Sequence, residues 1–77
     1  MDIASLVARS RTRRRLPEPR FRALIRENAK LSQREVAAGL NVNVSTISRW
    51  ESGQREPRDG KVLTAYVELL DRLASVK

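Results

Sequence analysis

Residues 43–52 combine side chains that can form hydrogen bonds to DNA bases with the spacing of one helix. The polar side chains that share a face of an α-helix are Ser45, Ser48, Arg49 and Ser52. Ile47 and Trp50, three residues apart, lie on the opposite face. Short hydroxyls and an arginine can reach base edges in the major groove, where an arginine binds guanine through O6 and N7. The spacing therefore predicts a helix with its apolar side turned to a core and its polar side turned to DNA.

The residues before this helix predict another helix and a tight turn. Ser32 and Glu35 have the spacing of a capping box, in which each side chain accepts a hydrogen bond from the other residue's backbone N–H. Ala37 is small enough for a close helix crossing, and Asn41 tolerates the left-handed conformation that ends many helices. We therefore predict a helix that follows Ser32, ends near Leu40 and turns at Asn41.

These features together resemble the phage-repressor and Cro-like helix-turn-helix domains of the XRE family. The stretches that match are 31–33, 36–37, 40–42 and 45–53, followed by Pro57. The resemblance covers residues 19–73. It departs at Asn41, where the family usually has glycine, and at Gly39, which the family does not require and which destabilises a helix by roughly 1 kcal/mol relative to alanine. The resemblance implies a bacterial or phage transcription regulator, usually a repressor, that binds double-stranded DNA sequence-specifically.

The resemblance also implies which residues touch DNA. Base contacts are expected from the start of the DNA-reading helix and one turn later, at Asn43, Val44, Ser45, Ser48 and Arg49. Val44 has a second interpretation, as a packing residue three positions before Ile47. Phosphate contacts are expected from Gln33, at the start of the preceding helix, and from Arg55 and Arg58, which flank the loop after the reading helix. Arg34 and Lys61 are further candidates for phosphate contacts by their charge and position. Arg26 and Glu51 match a partly buried ion pair of the family.

Two further helices complete the predicted fold. The first spans about residues 19–29, and one of its sides holds Phe21, Leu24, Ile25 and Asn28. The last spans about residues 59–74, with a wide apolar stripe formed by Val62, Leu63, Tyr66, Val67, Leu70 and Leu73. Leu69 and Val76 extend this stripe sideways. We therefore predict an all-α, compact four-helix, repressor-like domain over residues 19–77, preceded by a basic N-terminal arm or short extra helix over residues 1–18.

The N-terminal segment carries most of the positive charge. The chain has a net charge of +7, and residues 1–22 hold +5 of it, with seven arginines against two acidic residues. Ile3, Leu6 and Val7 have the spacing of a short helix over residues 2–10. The arginines that follow are expected to repel one another, so this segment should be mobile and unpacked when DNA is absent. Beside DNA they are expected to follow the phosphates or enter the minor groove, through Arg11, Arg13, Arg14 and Arg15.

The composition disfavours several classes of function. The 77 residues include no cysteine and no histidine, so we expect no metal, no cofactor and no catalytic residue. No apolar run approaches the roughly 18–20 residues of a membrane span, and no small-molecule ligand is evident. The expected partner is double-stranded DNA, and the expected location is the cytoplasm, at the nucleoid.

Other interpretations stay open on the sequence alone. An architectural or protein-interaction module would bind DNA without reading its sequence. The arginine-rich, acid-poor N-terminus is also typical of organellar transit peptides. A homodimer is expected if specificity needs two half-sites about 34–36 Å apart. The candidate contacts for such a dimer are Leu69 and Val76, or Ile3, Leu6 and Val7.

Overall fold

Five α-helices and no strand make up the part of the chain that the computed structural model describes, residues 2–58 and 60–75. In chain order they are α1 (Ile3–Arg14), α2 (Pro19–Asn28), α3 (Gln33–Leu40), α4 (Val44–Ser52) and α5 (Lys61–Ala74). The all-α fold, with its four helices and an extra helix at the N-terminus, is confirmed. The predicted helix start at residue 59 and the predicted contact of Val76 lie outside the described residues.

The predicted cap and turn of α3 are present. The Ser32 hydroxyl accepts a hydrogen bond from the Glu35 backbone N–H at 3.0 Å, and Glu35 Oε1 accepts one from the Ser32 N–H at 2.9 Å. The helix ends at Asn41, whose φ of 57° and ψ of 47° lie in the left-handed region. The Val42 N–H then donates to the Ala37 carbonyl at 3.0 Å, which closes the turn into α4.

A glycine ends α4 where the chain passes close to α2. Gly53 has a φ of +81°, which side chains rarely tolerate. A Cβ atom at this position would lie 3.4 Å from Cγ of Pro19, the first residue of α2. The left-handed end of α4 therefore favours glycine at this position, while a Cβ atom would only reach van der Waals contact with Pro19.

The core gathers the inner sides of α3, α4 and α5. Its buried residues are Val36, Ala37, Ile47, Trp50, Tyr66 and Leu70. Ring centroids of Trp50 and Tyr66 are 4.8 Å apart at an interplanar angle of 42°. Both aromatic residues are thus core residues, as predicted. Burial raises the pKa of Tyr66 to about 12, because the charged phenolate is disfavoured away from water. Leu69 also packs against this core, although the sequence suggested a sideways position.

The buried side of α2 differs from the apolar side that the sequence shows. Phe21 and Leu24 are 43% and 50% exposed, whereas Arg22 is only 3% exposed. Burial of a guanidinium is tolerable only when its N–H groups find acceptors. Arg22 finds them in two backbone carbonyls and in the carboxylate of Glu56. Of the predicted apolar side, Ile25 packs against the core, and the hydrogen-bonded Arg22 is buried beside it in place of Phe21 and Leu24.

α1 is longer than predicted and packs against α5. It reaches Arg14 rather than residue 10, and its residues Ala8 and Thr12 lie beside Gly60 and Leu63 at the start of α5. Arg15 Nη2 donates to Asp71 Oδ2, near the end of α5, at 3.0 Å. Contacts of this segment therefore reach from the start of α5 to near its end. The prediction of an unpacked N-terminal arm is wrong.

Helix geometry explains why the like charges of α1 do not prevent it from packing against α5. Successive helical residues are rotated by about 100°, so neighbouring arginines point in different directions. Arginines in a last turn also interact favourably with the negative end of the helix dipole, and α1 has Arg11, Arg13 and Arg14 there. Arg13 Nη2 donates to the Pro57 carbonyl at 2.9 Å. These interactions oppose the repulsion expected from the sequence.

Candidate nucleic-acid interface

The outer side of α4 presents all the residues predicted to touch bases. These residues, which we call the reading face, are exposed: Asn43, Val44, Ser45, Ser48 and Arg49. Val44 is 40% exposed, which favours a contact with a partner over packing in the core. Asn43 is the N-cap of α4 by its backbone, but its side chain makes no capping hydrogen bond. The Asn43 amide is therefore not committed to capping the helix.

Glu51 fixes α4 to α2 from the inner side. Arg26 Nε lies 2.6 Å from Glu51 Oε2, and Arg26 Nη2 lies 3.0 Å from Oε1. The two side chains are 12% and 7% exposed. The hydrogen bond to Glu51 raises the pKa of Arg26, and Arg26 Nη1 also donates to the Leu31 carbonyl at 2.9 Å. The ion pair implied by the family resemblance is therefore present, and it ties the reading helix to α2 and to the start of α3.

Gln33 extends this network toward the surface. Its Nε2 donates to Glu51 Oε1 at 2.9 Å, a contact that the sequence did not predict. One amide hydrogen is used internally, and the side-chain oxygen and the second hydrogen remain for another partner. The next residue, Arg34, is exposed in the first turn of α3. Glu51 thus holds Gln33 at a helix start, where backbone N–H groups attract anions.

Arg22 also holds the C-terminal end of α4, and sequence reasoning missed it. Its Nη1 donates to the Trp50 carbonyl at 2.9 Å and its Nε to the Pro17 carbonyl at 2.7 Å. Its Nη2 lies 2.9 Å from the Glu56 carboxylate. The only sequence signal was its position four residues before Arg26, which places both arginines on one side of a helix.

Four predicted DNA-contacting cations surround one cleft between α4 and α5. This basic cleft has a volume of about 360 Å³, and its cationic lining residues are Arg49, Arg55, Arg58 and Lys61. The Arg55 N–H donates to the Arg49 carbonyl at 3.3 Å, which fixes the loop to the end of the reading helix. Glu56 also lines the cleft, but its carboxylate pairs with Arg22. The cleft is therefore suited to an anion.

The arginines of α1 divide into two sets. Arg9 lies beside Gly60, and Arg13 reaches the Pro57 carbonyl, so these loop-side arginines border the loop that carries the basic cleft. Arg11 and Arg14 are exposed and rotated from them by about 100° or more, and we call these the outer arginines. Arg15 pairs with Asp71. Of the α1 residues predicted to bind phosphates, only Arg13 lies next to the other candidate contacts.

Comparison with known proteins agrees with this geometry. A family model described as helix-turn-helix matches residues 23–65, more than half of the chain. The match includes α3 and α4 entirely and leaves α1 outside. No curated protein and no solved structure matches the chain. Within the described residues, every helix is too short or too polar to cross a membrane.

Proposed function

Because the chain belongs to the helix-turn-helix family of the XRE type and is a DNA-binding regulator, we propose that it is a sequence-specific repressor that reads double-stranded DNA with α4. The observation that carries this proposal is the exposed reading face, held over buried Ile47 and Trp50. A major groove about 12 Å wide admits an α-helix about 10–12 Å across. Repression then follows from occupancy of the operator, in the cytoplasm at the nucleoid.

Each residue of the reading face has a chemistry that suits base edges. Arg49 can bind guanine through two hydrogen bonds, and the Asn43 amide can do the same with adenine. Ser45 and Ser48 can donate to or accept from either kind of pair, and Val44 can contact a thymine methyl group. The proposal therefore assigns sequence reading to these five side chains and to no residue of α1.

Phosphate contacts are proposed on both sides of the reading face. Arg55, Arg58 and Lys61 line the basic cleft at one side, and the N-terminus of α3 with Gln33 and Arg34 lies at the other. Such contacts fix the register of a protein on the duplex but carry no sequence information. They would hold α4 in the groove while its reading face selects the site.

We further assign the loop-side arginines of α1 to the DNA backbone. They continue the basic cleft from Pro57 and Gly60 onto α1. A helix about 10–12 Å across does not fit a minor groove about 6 Å wide, so docked α1 would follow phosphates rather than enter that groove. Arg13 would exchange its internal carbonyl acceptor for a phosphate oxygen, which forms a stronger, charge-assisted hydrogen bond.

Selection of bound sites from random DNA tests the proposal, and Arg49→Ala identifies the reading residue. We expect one selected motif. Arg49→Ala should weaken binding to that motif by roughly 1–3 kcal/mol and reduce the sequence preference at one of its base pairs. Arg55→Ala is the matched control, because loss of a phosphate contact should weaken binding to all sequences about equally. A promoter that carries the motif should be transcribed less when the protein is added.

The outcomes against this proposal are equally concrete. A footprint that is independent of sequence would instead support an architectural module. An unchanged motif with Arg49→Ala would show that α4 does not lie in the groove as proposed. Stimulated transcription from the promoter would remove the repressor role but keep sequence-specific DNA binding.

The salt dependence of binding separates the two sets of α1 arginines. Each phosphate that a cation neutralises contributes about 0.9 to the slope of log K against log salt concentration. Replacement of both loop-side arginines, Arg9→Gln with Arg13→Gln, should therefore flatten the slope by roughly 1–2. The variant Arg11→Gln with Arg14→Gln removes the same charge from the same helix and should leave the slope nearly unchanged. A larger change for the outer pair would restore the sequence-based prediction for Arg11 and Arg14.

A further inference from the structure

The apolar side of α1 is exposed to solvent. Ile3, Leu6 and Val7, which we call the apolar stripe, are 79%, 50% and 43% exposed. The helix packs against α5 through Ala8 and Thr12, which are rotated from the stripe by about 100–180°. The stripe therefore points away from its own domain, although exposed apolar side chains grouped in this way usually mark a contact surface.

An apolar groove lies elsewhere on the same chain, between α3 and α5. Its volume is about 350 Å³, and its apolar lining consists of Leu31, Val36, Gly39, Leu40, Ala65 and Leu69. Glu35, Glu68 and Arg72 also line this α3–α5 groove, so acidic side chains outnumber basic ones at its edge. An acidic edge is unusual on a chain with a net charge of +7.

Gly39 gives the groove its openness. Its φ is not positive, and a Cβ atom added there would meet no atom within 4 Å. Neither the backbone nor the packing of the isolated chain therefore requires glycine, although glycine weakens a helix. A side chain at this position would project into the groove. The residue is best explained if something outside the chain approaches the α3 backbone there.

We propose that the α3–α5 groove receives the apolar stripe of a second copy of this chain. The charges are complementary: Arg11 and Arg14 follow Val7 by four and seven residues, on its side of α1, and would meet Glu35 and Glu68. Pairing of two α1 helices with each other is disfavoured, because each brings four arginines and no acidic residue. The outer arginines thus bind protein, and the loop-side arginines remain on the DNA side.

The contact is too small for a stable dimer in dilute solution. Three apolar side chains and two ion pairs are far fewer than the about 20–30 residues that a standard interface uses on each side. Association is therefore expected at high protein concentration, or where two copies are bound close together on DNA. This inference does not depend on the reading face, because it can be tested without DNA.

Disulfide trapping in the free protein tests the contact, since the natural chain contains no cysteine. Full-length Leu6→Cys and Ala65→Cys variants are mixed under mild oxidation, and intact mass distinguishes the mixed disulfide from the two symmetrical ones. We expect the mixed disulfide to form several-fold faster than it does when Ser5→Cys replaces Leu6→Cys. Ser5 is exposed on the same helix but rotated from the stripe by about 100° or more, so it reports random collision.

Two further variants test the shape and charge of the groove. In the first, Gly39→Leu is added to the Ala65→Cys chain. Its mixed disulfide with Leu6→Cys should then form no faster than the Ser5→Cys control, and its melting temperature should not fall. In the second, Glu68→Arg is added to the Ala65→Cys chain and should slow formation of the mixed disulfide. Adding Arg14→Glu to the Leu6→Cys chain should then restore the rate. A dominant symmetrical Leu6→Cys disulfide would overturn the proposal in favour of paired α1 helices. A mixed disulfide no faster than the Ser5→Cys control would also overturn it.

Discussion

Trp50→Ala should unfold most of the protein at room temperature. The indole is 6% exposed and packs against Tyr66 with 4.8 Å between ring centroids. Deletion of a buried tryptophan side chain costs roughly 3–5 kcal/mol. A single core in a chain this small rarely supplies more than about 3–5 kcal/mol in total. Urea and thermal melts followed by far-ultraviolet circular dichroism should therefore show a population that is largely unfolded before denaturant is added.

Phe21→Ala is the matched control for this experiment. It also deletes an aromatic side chain, but Phe21 is 43% exposed on α2, where the Arg20 guanidinium lies 4.8 Å from its ring centroid. A surface substitution of this kind should change stability by no more than about 0.5–1 kcal/mol. If Trp50→Ala instead melted like the natural chain and only lost affinity for DNA, Trp50 would be a stacking residue rather than a core residue.

The second large effect is expected from removal of one partner of the ion pair between Arg26 and Glu51. Both side chains are nearly buried, so Arg26→Met or Glu51→Gln leaves the other charge without compensation. Such a change costs roughly 3–5 kcal/mol. The loss in free energy of unfolding should be smaller in the double variant than the sum of the losses in the two single variants. Urea melts of the unchanged chain, the two single variants and the double variant should give a coupling of about 0.5–3 kcal/mol.

Glu27→Gln provides the control for the ion pair. Glu27 also lies near Arg26, at 3.8 Å, but its side chain is 60% exposed. Exposed pairs contribute about 0–1 kcal/mol, so this variant should be close to neutral. Additive costs for Arg26→Met and Glu51→Gln would show that the two side chains act independently of each other.

Local signals predicted the helices and the turn. The capping pair Ser32 and Glu35 acts within one turn of helix, and the left-handed conformation of Asn41 depends mainly on its own side chain. The inward direction of Ile47 and Trp50 follows from their spacing alone. Such features need no knowledge of distant residues, so a sequence is sufficient to predict them.

The features that the sequence did not predict depend on distant partners. Burial of Arg22 requires acceptors that are 5, 28 and 34 residues away, at Pro17, Trp50 and Glu56. α1 packs through Ala8 and Thr12, small residues that carry little hydrophobic signal, while its visible apolar residues face outward. Periodicity reports which side of a helix is apolar, and tertiary hydrogen bonds can make another side the buried one.

The hydrogen bonds of Arg22 have a consequence for the modularity of the chain. One guanidinium binds the carbonyl of Pro17, in the connection that leaves α1, and the carbonyl of Trp50, near the end of α4. The family match begins at residue 23, so Arg22 and Pro17 both lie outside the matched residues while the end of α4 that Arg22 binds lies inside them. A chain cut after residue 18 would keep every residue of α2 yet lose the carbonyl that accepts the hydrogen bond from Arg22 Nε. Evolutionary exchange or engineering of the N-terminal helix is therefore constrained by the stability of the reading helix itself.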